Sequence, residues 1–116
     1  MSAVSETSQK LYTAEDLERL SAQGYRCELI RGELKEMSPT GDAHGYATYL
    51  VTLYLGMFIE EHSLGKGYGA ETGFQLANSP DTVLAPDFAF VAKGRKPDTV
   101  AKTYVPFVPD LVLETR

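Results

Sequence analysis

The chain has 116 residues, enough for one domain with a buried core, and an apolar share of 43% that is ordinary for globular proteins. The net charge of -5 argues against a broad basic surface for phosphates, although acids that hold a metal also count toward it. A single cysteine, Cys27, excludes an intrachain disulfide, and no run is long enough to span a bilayer. With no secretory signal at the start, we expect a cytoplasmic protein without membrane association.

The first third of the sequence predicts a disordered start, a short helix and a hairpin. Residues 1 to 12 are polar and lack a period, which is typical of disorder. Thr13 is suited to cap a helix, and Gly24 is suited to end it. Two strands joined by a tight turn at Arg31-Gly32 follow, over residues 25–30 and 33–37.

A long helix is predicted from Asp42 to about His62. Apolar residues recur there at steps of three and four, so they form one broad apolar face. We expect this face to belong to the core, with the tyrosine hydroxyls as its polar tips. Gly65 and Gly67 are expected to end the helix.

The remaining sequence alternates strand-like stretches with turns. Strands are predicted over residues 68–71, 72–77 and 83–84, and two more carry acids over residues 87–92 and 111–115. The connection between the last two is basic and rich in glycine and proline, so we expect an exposed loop that could contact phosphates through Lys93, Arg95, Lys96 and Lys102. Residues 13–116 therefore predict one α+β domain in which a long helix packs on a sheet.

The two acids, Asp87 and Glu114, stand within apolar segments, where an isolated carboxylate is costly to bury. If their strands are neighbours, both side chains can point into the same space. Mg²⁺ prefers carboxylate oxygen, and a metal so held can activate water beside a phosphate. The alternative is structural: a Pro-Asp pair often opens a strand, and a glutamate at a strand end is often only solvated.

Several motifs in order carry a family resemblance. They are Tyr25–Leu34, Met37–Gly41 with His44, Ala70–Phe74, Ala85–Asp87 and Pro109–Glu114. Together they resemble the Uma family, bacterial proteins regarded as restriction endonucleases within the PD-(D/E)XK nuclease superfamily. The resemblance runs from about Leu11 to the last residue.

This resemblance implies a restriction-endonuclease-like fold, a mixed sheet packed against one long helix, and hydrolysis of DNA phosphodiester bonds with Mg²⁺ or Mn²⁺. Asp87 and Glu114 match the acids that would hold the metal, with Asp87 bridging metal and scissile phosphate. Glu33 and His44 match recurrent polar positions of the family. From the residues alone, Glu33 could equally be a solvated strand acid, and His44 a surface residue of the first helical turn.

The sequence also departs from the family pattern at its end. Family members continue through a turn, a helix that carries a lysine and further strands, so the C-terminal part of the fold is expected to be missing. The lysine of the superfamily motif would fall at Arg116, whose guanidinium can stabilise negative charge but cannot act as a base.

Two other functions stay open from the sequence. The chain could be an inactive remnant of a nuclease that keeps the fold and binds nucleic acid or a partner. It could also be an assembly module, because an incomplete sheet tends to pair with a second copy through its open edge or long helix. We therefore expect a homo-oligomer in either case.

Overall fold

The computed structural model describes residues 10–95 and 103–115, so most of the predicted disordered start lies outside the described residues. Two helices and seven strands lie within these ranges. In chain order they are α1 (Ala14–Ala22), β1 (Cys27–Ile30), β2 (Glu33–Glu36), α2 (Asp42–Glu61), β3 (Gly65–Tyr68), β4 (Phe74–Ala77), β5 (Thr82–Leu84), β6 (Phe88–Ala92) and β7 (Leu111–Leu113).

The predicted α+β class is confirmed, with the strands in two sheets instead of one. The first sheet has the order β2-β1-β5-β4 and the second the order β3-β6-β7. The pairs β1–β2, β1–β5, β3–β6 and β6–β7 are antiparallel, and a parallel bridge joins Phe74 to Val105.

The chain divides into two compact units, one with the described residues up to Ser38 and Gln75–Leu84, the other with the described residues of Pro39–Phe74 and Ala85–Arg116. That residues 13–116 act as one domain stays a prediction.

The start of the first unit follows the predicted cap. The Thr13 hydroxyl accepts a hydrogen bond from the Asp16 N–H, while the Asp16 carboxylate accepts one from the Thr13 N–H, which makes a capping box. The bond from the Thr13 backbone holds the pKa of Asp16 below its usual value. Gly24, with φ +97°, then turns the chain after the helix, as predicted.

The hairpin of the first unit is also as predicted. Arg31 and Gly32 both have positive φ, +49° and +82°, the backbone that a two-residue hairpin turn requires. The register of this sheet places Leu29 between Leu34 and Val83, and Leu29 is fully buried. This central position explains why the alternating pattern of β1 could be recognised in the sequence.

The second unit is built around β6, which lies between β3 and β7. Phe88, Ala89 and Val91 of β6 are buried. The prediction that Gly65 ends the long helix is wrong, because α2 ends at Glu61 and Gly65 opens β3. A Cβ at Gly65 would clash with the Val91 carbonyl oxygen, so the glycine is needed where β3 approaches β6.

The expected orientation of α2 is wrong as well. The side of α2 that is half-buried or buried carries His44, Thr48, Leu55 and Ile59, and α2 packs against β3. The predicted core tyrosines are exposed instead, namely Tyr46, Tyr49 and Tyr54. Apolar residues lie on nearly every side of α2, so their period could not decide which side faces the sheet. Within the described residues, no helix has the length and hydropathy that crossing a membrane requires.

Gly65→Ala should lower the free energy of unfolding by at least about 2 kcal/mol, because the new methyl group meets backbone atoms that cannot move aside. Gly69→Ala is the matched control, since a Cβ there meets nothing within 4 Å. Urea unfolding of both variants measures the difference. Equal stability of the two variants would contradict the close approach of β3 and β6.

Candidate active site

Asp87 is fixed at the end of the β6–β7 pair by backbone hydrogen bonds. Its N–H donates to the Leu113 carbonyl over 3.1 Å, and its Oδ2 accepts from the Thr115 N–H over 2.8 Å. The side chain is 23% exposed, so it keeps some access to water. A carboxylate held in this way has a defined orientation without the full cost of burial.

Glu114 lies at the same end of this strand pair. Phe88 and Leu113 are partners in the register; Asp87 directly precedes Phe88, and Glu114 directly follows Leu113. Both acids therefore lie next to the same cross-strand pair and at the same end of it, as expected if the two strands are neighbours. The Glu114 side chain is exposed.

His44 joins Asp87 from the first turn of α2. Its Nε2 lies 3.6 Å from Asp87 Oδ2, which is longer than a hydrogen bond, and its side chain is 23% exposed. The Nδ1 atom is buried and has no hydrogen-bond partner among the described residues. A buried N–H group without an acceptor costs more free energy than a buried ring nitrogen without a proton. We therefore assign the proton to Nε2, where it faces the carboxylate.

Thr48 and Thr115 complete this cluster and were missed by the sequence reasoning. Their hydroxyl oxygens lie 2.7 Å apart and tie α2 to the segment after β7. Thr48 follows His44 by four residues, so both lie on one helix face. That spacing was the available signal, because a polar pair on one side of an apolar helix has to face something polar.

The other predicted site residues fall into different places. Glu33 is exposed at the start of β2, in the first unit, opposite Ile30, and its role stays a prediction.

In the basic loop, Arg95 is bound to the Asp110 carboxylate over 2.8 Å, so its charge is already paired. Hydrogen bonds from the Ala92 N–H and Arg95 hold the pKa of Asp110 below its usual value. Three further predicted positions, Lys96, Lys102 and Arg116, lie outside the described residues.

The carboxylates of Asp87 and Glu114 would suit a hard cation that takes only a few ligands from the protein. Residues 10–95 and 103–115 contain no group of three or more side chains from His, Cys, Asp and Glu that could hold a metal ion. Asp87 and Glu114 supply two carboxylates at one strand end. Mg²⁺ characteristically keeps several waters and binds one or two carboxylates together with substrate phosphates. The site therefore suits a cation that shares its coordination with a substrate.

Comparison with protein families gave a match over most of the chain. The family Uma2, described as a putative restriction endonuclease, matches residues 14–116. The chain belongs to the Uma2 family. This confirms the resemblance found in the sequence and indicates nuclease function; a search of the curated proteins gave no match.

Thr48→Val should lower the free energy of unfolding of this Uma2 chain by about 1 kcal/mol, because it removes the hydrogen bond to Thr115 without changing shape. Thr115→Val should cost the same, and the double variant should cost no more than either single change. Thr52→Val, also half-buried on α2, is the control and should change stability by less than about 0.5 kcal/mol. Additive costs in denaturant unfolding would contradict the contact.

Proposed function

We propose that this Uma2 protein hydrolyses DNA phosphodiester bonds with a divalent cation, Mg²⁺ or Mn²⁺, held by the carboxylates of Asp87 and Glu114. The observation that carries the proposal is the position of both acids at one end of the β6–β7 pair, one register step beyond the Phe88–Leu113 pair. Family membership supports the reaction class. When bound, such a cation supplies charge stabilisation at the phosphate and an activated water.

Asp87 has the central role in this proposal. The Thr115 N–H holds its Oδ2, so the carboxylate is oriented before substrate arrives. Glu114 is more exposed and adds the second carboxylate at the same strand end. Two carboxylates at one end of a strand pair repel each other, and a cation held by both would relieve that repulsion.

His44 is proposed to donate its Nε2 proton to a phosphate oxygen beside Asp87. The imidazole already faces this carboxylate, and its partial exposure leaves it open to a substrate. The contact between Thr48 and Thr115 keeps α2 beside the strand end, so it positions His44 indirectly. Glu33 remains a proposed catalytic residue on the ground of the family pattern alone.

Asp87→Asn should lower the rate of cleavage of supercoiled DNA in Mn²⁺ or Mg²⁺ by at least roughly 100-fold. Mutation of a residue that only hydrogen-bonds to a metal ligand typically lowers activity by about 10–100-fold, and loss of a proposed ligand should lower it further. Asparagine keeps an oxygen for the Thr115 N–H, so the fold should persist, which a thermal melt checks. Glu61→Gln removes an exposed acid at the far end of α2 and is the control. Equal cleavage by wild type and Asp87→Asn would exclude the proposed role of Asp87.

An inactive remnant would keep the fold without the metal, so cation binding separates the two functions. Calorimetric titration with Mn²⁺ should give heat for wild type and much weaker binding for Glu114→Gln, which keeps the shape of the side chain but not its charge. Glu61→Gln should bind as wild type does. Absence of heat in wild type and in both variants would favour the remnant, which could then bind nucleic acid or a partner.

The expected homo-oligomer and the cytoplasmic location also remain proposals. The edge strand β7 exposes Leu111 and Val112, and α2 exposes several large apolar side chains. Both surfaces are suited to pairing with a further copy. The cytoplasmic location rests on the single cysteine and on the nuclease family.

A further inference from the structure

Thr115 is held by two hydrogen bonds that lead to different parts of the second unit. Its backbone N–H donates to Asp87 Oδ2 over 2.8 Å, and its hydroxyl oxygen lies 2.7 Å from that of Thr48 on α2. Glu114 directly precedes Thr115, and both follow the end of β7 at Leu113. One residue thus connects helix α2 with both acids of the proposed cation site.

The hydroxyl contact restricts the backbone of Thr115. Threonine is branched at Cβ, which restricts its χ1 angle, so a fixed hydroxyl oxygen also fixes the direction of the Cα–Cβ bond. The backbone N–H on the same Cα then stays directed at Asp87 Oδ2. Pairing of β7 with β6 ends at Leu113, so the strand register does not fix this N–H. A contact on α2 therefore controls a hydrogen bond to the Asp87 carboxylate.

Helix α2 reaches the same carboxylate oxygen by two routes. His44 approaches directly, with its Nε2 3.6 Å from Asp87 Oδ2. Thr48 lies four residues further along the same helix face and reaches this oxygen through Thr115. A hydroxyl pair that only satisfied two half-buried polar groups could lie anywhere along α2. Convergence on Oδ2 favours a role in orienting the carboxylate, and Oδ1 could then bind a cation without breaking either contact.

We propose that Thr48 is a positioning residue of the cation site, which acts through Thr115 to hold Asp87 and Glu114 in the arrangement that binds a divalent cation. This inference rests on the proposed function and adds a residue of a different element that sets the cation affinity. By thermodynamic linkage, a contact that raises the cation affinity by some factor is strengthened by the bound cation by the same factor. A hydroxyl pair with only a structural role shows no such coupling.

Calorimetric titration of the full chain with Mn²⁺ tests this role with matched variants of α2. Thr48→Val should raise the Kd about 10-fold, the lower end of the range for residues that act on a metal ligand through hydrogen bonds. Thr48→Ser keeps the hydroxyl and should bind Mn²⁺ nearly as wild type does. Thr52→Val, which changes another half-buried threonine of the same helix, should also bind as wild type does.

The titration separates this inference from the proposed function. Equal Kd values for wild type and Thr48→Val would exclude the positioning role and leave the proposed function intact. An equal loss of affinity in Thr52→Val would also exclude it, because the effect would then follow from a general loosening of α2. A wild type that does not bind Mn²⁺ would overturn the proposed function and this inference together.

Unfolding with and without the cation gives a second measurement, which does not use the heat of binding. A cycle of Thr48→Val, Thr115→Val and the double variant gives their coupling free energy in EDTA and again in saturating Mn²⁺. Thr115→Val keeps the backbone N–H that donates to Asp87. The coupling should be larger in Mn²⁺ by about 1.4 kcal/mol, the equivalent of the expected tenfold change in Kd. Equal coupling in the two conditions would contradict the positioning role.

Discussion

The hydrogen bond from the Thr115 N–H to Asp87 Oδ2 is the interaction on which the site depends. It joins the residue before β6 to the segment after β7, so it fixes the strand end and the carboxylate together. Both Glu114 and the Thr48–Thr115 contact are placed by this same segment. A shift of this segment would therefore move the Asp87 carboxylate, Glu114 and the contact with α2 at once.

Helix α2 serves two surfaces whose requirements conflict. One side must present His44 and Thr48 to the strand end, so that side cannot be wholly apolar. The same inner side also carries the half-buried Leu55 and the buried Ile59, while the large aromatic side chains of α2 are exposed. The inner side is therefore polar near the start of α2 and apolar toward its end, and the exposed apolar side chains carry a free-energy cost in water.

Local chemistry made part of this fold predictable from the sequence. The Thr13 cap, the Arg31-Gly32 turn and the acid-bearing strands each depend on a few adjacent residues. The position of Gly65 in a strand was not predictable, because it depends on the Val91 carbonyl, 26 positions further along the chain. The meeting of His44 with Asp87 is equally non-local, and only the family pattern had selected both residues.

Charge balance links the acidic chain to its proposed substrate. Arg95 is bound to Asp110, so this loop residue adds little attraction for phosphates, and the net charge of -5 repels DNA overall. In the proposed reaction, Asp87 and Glu114 would hold a cation, whose charge would supply much of the attraction for phosphate that a basic surface gives to other DNA-binding proteins. Affinity for DNA should consequently follow occupancy of the cation site more closely than it follows monovalent salt.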